Sequence, residues 1–297
     1  MEKPKILIVE DEYIVAENMQ VKIEEWDYSV IGIESTGLNA LKKIEETPPD
    51  LVLMDIKIKG EMDGIETATK IKKQFGIPII YLTSFSDIKI LERAQLTEPY
   101  GFLIKPYNER ELKATIKMAL YKSAIDKKLA SVKTMLLSVF NSIGVGIIIT
   151  DSSGGVKLIN PTAQKIIRKK KEDSIGKDIG EVFPIQIRQK DSEIQSEIIN
   201  FSEISNKIIT LGIENDVLLV TPDNKQVFIY GSVSPVIHNR MIIGSILAFQ
   251  RKRKDNNIVL DEDQSESAYE LPQAVNMASD LLKSGIITNV ESDQVEE

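Results

Sequence analysis

The sequence predicts an α/β doubly wound parallel sheet of flavodoxin-like type, followed by an α+β domain with an antiparallel sheet. Two patterns carry this. Five short aliphatic runs alternate with helical segments over residues 1–122, as expected of a parallel sheet covered on both faces. A hairpin signal then appears at "VGIIITDSSGGVKLIN", where a turn rich in Asp, Ser and Gly separates two strand-like runs. A length of 297 residues suits two domains at ~150 residues each.

In order, "KILIVED" reads as a strand ending on Glu10 and Asp11. Tyr13 to Glu25 reads as a helix, with Ile14, Met19, Val21 and Ile23 spaced among charged residues. "YSVIGIE" is the second strand, and "GLNALKKIEET" a helix that Pro48 and Pro49 end. "LVLMD" is the third strand and "GIETATKIKKQFG" a helix closed by Gly76. "IPIIYLTS" is the fourth strand, a helix runs from about Ser86 to Leu96, and "YGFLIKP" is the fifth strand. A last helix starts near Asn108.

In open sheets of this kind, ligands bind beyond the carboxyl ends of the strands. Strand one delivers Glu10 and Asp11 there, strand three Asp55, strand four Thr83 and strand five Lys105. Three acids so close repel one another unless a cation intervenes. Mg²⁺, a hard cation that takes one or two carboxylates together with a phosphate, suits the set. A phosphate on Asp55 would in turn be met by the Lys105 ammonium and the Thr83 hydroxyl.

These motifs, "ILIVEDE", "LVLMDIKIKGEMDG", "IIYLTS" and "GFLIKP" in that order and spacing, make the first 122 residues resemble the receiver domain of two-component response regulators. The resemblance implies strand order 2-1-3-4-5. It implies Asp55 as phosphoacceptor, Glu10 and Asp11 as Mg²⁺ ligands beside Asp55, and a further ligand in the Lys57 backbone carbonyl. Thr83 and Lys105 would bind the phosphoryl oxygens. Phe102 takes the place of the aromatic switch and lacks the commoner phenolic hydroxyl. Lys105–Pro106 falls where the family often has a cis peptide. Phe85, two residues past Thr83, is expected to shield a phosphoaspartate from water or simply to pack on the next helix.

The connector, 123–141, keeps helical spacing. Met118, Ile125, Val132 and Val139 fall seven apart, Leu129 and Leu136 form a second series, and Lys122 interrupts it. This is a heptad pattern of about three repeats, so a parallel homodimer through the 115–141 helix and the second domain is expected. The competing reading is a helix packed along one domain.

Residues 142–251 resemble a PAS domain, carried by "GIIITDSSGGVKLINPTAQKI", "IGKDIGEVF" and a closing hairpin. Asn160 reads as an N-cap with Pro161 at the first helical position. "DVLLVT", "KQVFIYGSVSPVI" and "MIIGSILAFQ" read as strands joined at "PDNK" and "HNR". The resemblance implies dimerisation, relay and sometimes a bound small molecule. With no cysteine a flavin–thiol adduct is excluded, and His238, the one histidine, falls in the "HNR" turn. No PAS ligand can be named. Residues 188–212 look longer and more polar than a minimal PAS helical region.

Residues 252–297 are acidic and are expected to be disordered, with "AYELPQAVNMASDLLKSG" as a short amphipathic helix for a partner. Net charge is −4 over 1–122 and −10 over 255–297, out of −8 overall, so the middle carries +6. The basic clusters "RKKK" and "RKRK" are short enough to be solvated ends of elements. An acidic chain without a recognition helix argues against nucleic acid as a partner. No apolar run reaches the ~20 residues that span a bilayer. The absence of cysteine and of a signal-like leader leads to a cytoplasmic expectation.

No glycine-rich nucleotide loop and no phosphoacceptor histidine helix is present. The expectation is a non-enzymatic phosphorelay protein. It would receive phosphate from a sensor histidine kinase and act on a downstream protein not identifiable from sequence. The alternatives are a PAS ligand sensor whose receiver dimerises, and an aspartate-nucleophile phosphohydrolase. Lys57 counts against the latter, standing where its general acid belongs.

Overall fold

The computed structural model describes residues 3–84, 88–188, 208–212 and 216–252, together with Val275, Asn276 and Ser279. Phe85, most of 188–212 and nearly all of the acidic tail lie outside the described residues. The chain divides into two compact units, 1–130 and 131–297.

The first unit is built on β1 (Lys5–Val9), β2 (Ser29–Glu34), β3 (Leu51–Asp55), β4 (Ile79–Ser84) and β5 (Gly101–Lys105). They form one parallel sheet in the order β2-β1-β3-β4-β5. The helices are α1 (Tyr13–Glu25), α2 (Gly37–Glu46), α3 (Gly64–Phe75), α4 (Ile88–Gln95) and α5 (Glu109–Ser142). Parallel strands need crossovers, and right-handed crossovers with a reversal of strand order place helices on both faces. Leu7, Val9, Val52, Met54 and Tyr81 pack on α2 and α3 through Ala40, Ile44, Ile65, Ala68 and Ile71. Ile6, Ile8, Leu51, Leu53 and Leu82 pack on α1 and α5 through Ala16, Met19, Ile23, Leu112 and Ile116.

Local sequence explains where α3 starts and stops. Asp63 accepts from Glu66 N at 2.8 Å while the Glu66 carboxylate accepts from Asp63 N at 3.1 Å, a reciprocal capping box. Gly76 closes the helix at φ 62°, a conformation that favours glycine. In α1 the expected stripe is narrower than the sequence suggests. Met19 and Ile23 are buried, but Ile14 and Val21 are exposed and Ala16 takes the inner position.

In the second unit, β6 (Gly146–Asp151), β7 (Val156–Ile159), β8 (Ile185–Arg188), β9 (Ile209–Leu211), β10 (Asp216–Val220), β11 (Gln226–His238) and β12 (Met241–Arg251) form an antiparallel sheet. Its order is β7-β6-β12-β11-β10-β8, with β9 on β11. Helices α6 (Pro161–Ile167) and α7 (Ile179–Val182) follow β7. One face of the sheet packs through Ile148, Val233, Leu247 and Phe249 on Ala163, Ile166, Ile179 and Phe183. The other packs through Ile147, Ile149, Ile246 and Ala248 on Phe140.

Asn160 organises this unit. Its Oδ1 accepts from Ala163 N and Ile147 N at 2.8 and 2.9 Å, and its Nδ2 donates to Val145 O and Phe140 O at 2.8 and 3.2 Å. Two expectations need correction. His238 is the last residue of β11, paired with Met241, and the turn is the two residues Asn239 and Arg240, both at positive φ, the geometry of a tight hairpin. In α5, Met118, Ile125, Val132 and Val139 are exposed, but the second series divides. Leu129 is exposed, while Leu136 packs beside Phe140. Tyr121, four before Ile125, and Met135, three after Val132, are the other exposed large apolar residues of α5.

Candidate functional site

The sheet brings Glu10, Asp55 and Lys105 to the carboxyl ends of β1, β3 and β5. Glu10 follows β1 and is held by its own N–H on Glu34 O at 2.9 Å. Asp55 closes β3, a strand buried on both faces, and Lys105 closes β5. The Lys105 ammonium donates to Glu10 Oε2 at 2.5 Å and to Asp55 Oδ2 at 2.6 Å. The other Asp55 oxygen, Oδ1, accepts from Lys57 N at 3.0 Å. Asp55 is therefore gripped at both oxygens.

Glu10, Asp11 and Asp55 each offer a carboxylate oxygen, and these oxygens lie within 4.8 Å of one another. Burial pushes the Glu10 carboxyl up to about 7; its bond with Lys105 opposes this and the Asp55 charge adds to it. The Lys105 ammonium is held above its ordinary value by Asp55 and Glu10, against its own desolvation. One ammonium thus faces more acid than it neutralises. An all-oxygen set with surplus negative charge fits a hard divalent cation, and the acidic cluster could bind Mg²⁺.

The remaining residues take these places. Thr83 is buried in β4, and its hydroxyl donates to Ser84 O at 3.2 Å. The Lys57 side chain is exposed and its amide is spent on Asp55. Phe102 is half-buried and stacks on Tyr81 at 5.7 Å between ring centroids. Tyr81 is buried, with its hydroxyl 2.9 Å from Thr97 Oγ1. The Lys105–Pro106 bond is cis.

Two neighbours were not singled out from sequence. Lys59 Nζ lies 3.6 Å from Asp11 Oδ2 and donates to Asp11 O at 3.3 Å. The Tyr107 phenol, pushed up to about 12 by burial, feels the charges of Lys105, Glu10 and Asp55. Neither sits at a strand end, so strand periodicity gave no sign of them. The only available cue was their nearness in sequence to Asp55 and Lys105.

Gly64 fixes how closely α3 approaches. A Cβ there would stand 2.0 Å from the Asp55 carbonyl oxygen, and Gly64 N donates to Ile56 O at 3.0 Å. The first turn of α3 is thereby held against the strand end that carries Asp55.

Comparison with known proteins agrees with this arrangement. The family model for the response regulator receiver domain matches residues 6–117, and that for the PAS fold matches 134–252. Among curated relatives, the transcriptional regulatory protein PdtaR of Mycobacterium tuberculosis is 33% identical over 116 residues, 39% of this chain and 56% of that protein. YhcZ of Bacillus subtilis, also named a transcriptional regulatory protein, is 39% identical over 113 residues, 37% of this chain and 52% of that protein. The chain thus matches about half the length of each. Among solved structures, the signal receiver domain of a modulated diguanylate cyclase from Desulfovibrio desulfuricans G20 is 34% identical, with a TM-score of 0.40 over 42% of this chain and 98% of that one.

The folds and the two family models define an α/β receiver module and an antiparallel PAS module. The chain carries a response regulator receiver domain followed by a PAS domain. This pairing fits two-component signalling. Among the described residues, no helix is long and apolar enough to cross a membrane.

Proposed function

We propose that the chain accepts a phosphoryl group on Asp55 from a sensor histidine kinase and passes the change through its PAS domain to a protein partner. The observation that carries this reading is the Lys105 ammonium bridging Glu10 and Asp55. An Asp55 carboxylate oxygen attacks phosphorus, the O–P bond forms, and the donor's N–P bond breaks with the imidazole keeping the electron pair. Lys105 stays protonated and, with the Thr83 hydroxyl, faces the new phosphoryl oxygens. Glu10, Asp11, Asp55 and the Lys57 carbonyl would hold Mg²⁺, which supplies charge neutralisation at the transferring group.

Phe102 would report the change by repacking against Tyr81, since it has no hydroxyl with which to form a new bond. The exposed heptad residues Met118, Ile125, Val132 and Val139 support a homodimer through α5. The domain boundaries in this reading are 1–122, 123–141, 142–251 and 252–297. Output is contact with another protein rather than catalysis or DNA binding. The names of the relatives favour a second reading, control of transcription by direct DNA contact, which salt-dependent DNA binding by the full chain would support.

The test is intact mass after incubation with Mg²⁺ and a small acyl phosphate. A phosphoryl adduct that requires the metal and is lost in Asp55→Ala is expected. An adduct that persists in Asp55→Ala would overturn the reading.

A further inference from the structure

The sheet of the second unit has two apolar faces. One is covered by α6 and α7. The other is a floor of Ile147 and Ile149 from β6, Leu158 from β7, Val236 from β11, and Ile246 and Ala248 from β12, all buried. The end of α5 supplies part of its cover through Leu136 and Phe140, with Ile143 just beyond. A further residue packs there from far along the chain: Val275, partly buried on the same cluster.

Val275, Asn276 and Ser279 are helical. Around them the sequence spaces Leu271, Val275, Ala278 and Leu282 at steps of four, three and four, the apolar period of an amphipathic segment. The 22 residues between Lys252 and Val275 can extend to about 70 Å, far enough to reach any point on a domain of this size. Left bare, such a floor would be a contiguous apolar patch of the kind that recruits partners.

We propose that residues 271–282 are the resident cover of this face, docking on the chain's own PAS sheet beside the end of α5 and excluding a second copy from it. Phe140 and Val275 stand on one floor, so the seating of the tail depends on where the end of α5 lies. The segment is then an internal ligand whose release uncovers the β6–β12 surface. This inference does not depend on phosphorylation of Asp55.

The chain has no cysteine, which makes thiol chemistry a clean probe. In full-length protein carrying Ile243→Cys and Val275→Cys, a short bis-maleimide is expected to join residues 243 and 275 within one chain. Ile243 is chosen because it borders the same floor. Links found solely between chains would overturn the proposal, as would no link when each thiol reacts with a mono-maleimide. As a second measurement, the maleimide reaction rate of Ile243→Cys alone is compared with and without Val275→Asp. Loss of the partly buried valine contact corresponds to a rise of about threefold or more, whereas an unchanged rate would mean that the tail does not cover the face.

Discussion

Lys105 Nζ lies 2.6 Å from Asp55 Oδ2 and 2.5 Å from Glu10 Oε2, so one ammonium ties the ends of β1, β3 and β5 together. Glu10 has no exposed side-chain surface and Lys105 retains about a quarter of its own. The contact is thus shielded from salt on one side and open on the other, which lets an incoming anion reach Lys105 without opening the core.

Replacing Lys105 with Met should leave two acids facing each other without their cation. Removing one partner of a buried pair is costly, but Glu10 can take up a proton, so a loss of about 2 kcal/mol is expected. Mg²⁺ should stabilise this variant more than the parent, since the ion relieves the repulsion that Lys105 no longer does. Denaturant titrations with and without Mg²⁺ check this, and equal Mg²⁺ effects in both proteins would contradict it.

Mg²⁺ affinity should rise with pH up to about 7 and then level off. Burial holds the Glu10 carboxyl up to about 7, and a protonated carboxyl is a poor ligand, so below that pH binding must release a proton. Affinity should fall by about tenfold per pH unit there if a single proton is displaced. Lys59→Ala should raise affinity at every pH by a fewfold at most, because an exposed pair such as Lys59–Asp11 is worth under about 1 kcal/mol. Calorimetric Mg²⁺ titrations at several pH values test both statements.

Gly64→Ala should destabilise the first unit more than Gly76→Ala. At Gly64 the added Cβ would meet the Asp55 carbonyl oxygen at 2.0 Å, which forces α3 away from β3 and costs about 3 kcal/mol. At Gly76 nothing stands within 4 Å and the penalty is the left-handed φ of 62° alone, about 1 kcal/mol. Thermal melts of the two variants should preserve that order.

Asn160→Ala should lose about 3 kcal/mol from the PAS unit. It removes an N-cap and leaves the amide of Ile147 and the carbonyls of Val145 and Phe140 without their partner in a buried site. Asn160→Asp keeps the cap but deletes both donors, so it should fall between parent and Ala. Chemical denaturation followed on the second unit's transition would reveal the order.

The sheet of the first unit and its acidic cluster were legible because strand ends are marked by where apolar runs stop. Glu10, Asp55 and Lys105 each close such a run. Lys59 and Tyr107 were not legible, because they reach the cluster from loops whose path follows no period. In the second unit, β8 and β9 are not legible, because runs of four and three residues are too short to show alternation. The α5 heptad misled at Leu136 because a heptad records which residues share a face. It does not record whether that face meets a second copy or this chain's own sheet.

The most direct test of the account is to locate the phosphoryl group by chemistry. Protein treated with Mg²⁺ and acyl phosphate is reduced with borohydride, which converts a phosphoaspartate to homoserine, and its peptides are sequenced by mass spectrometry. Homoserine at position 55 alone, and only when Mg²⁺ was present, is the expected result. Homoserine at another acid, or none at 55 in protein that carries the adduct, would contradict the assignment of Asp55 as the acceptor.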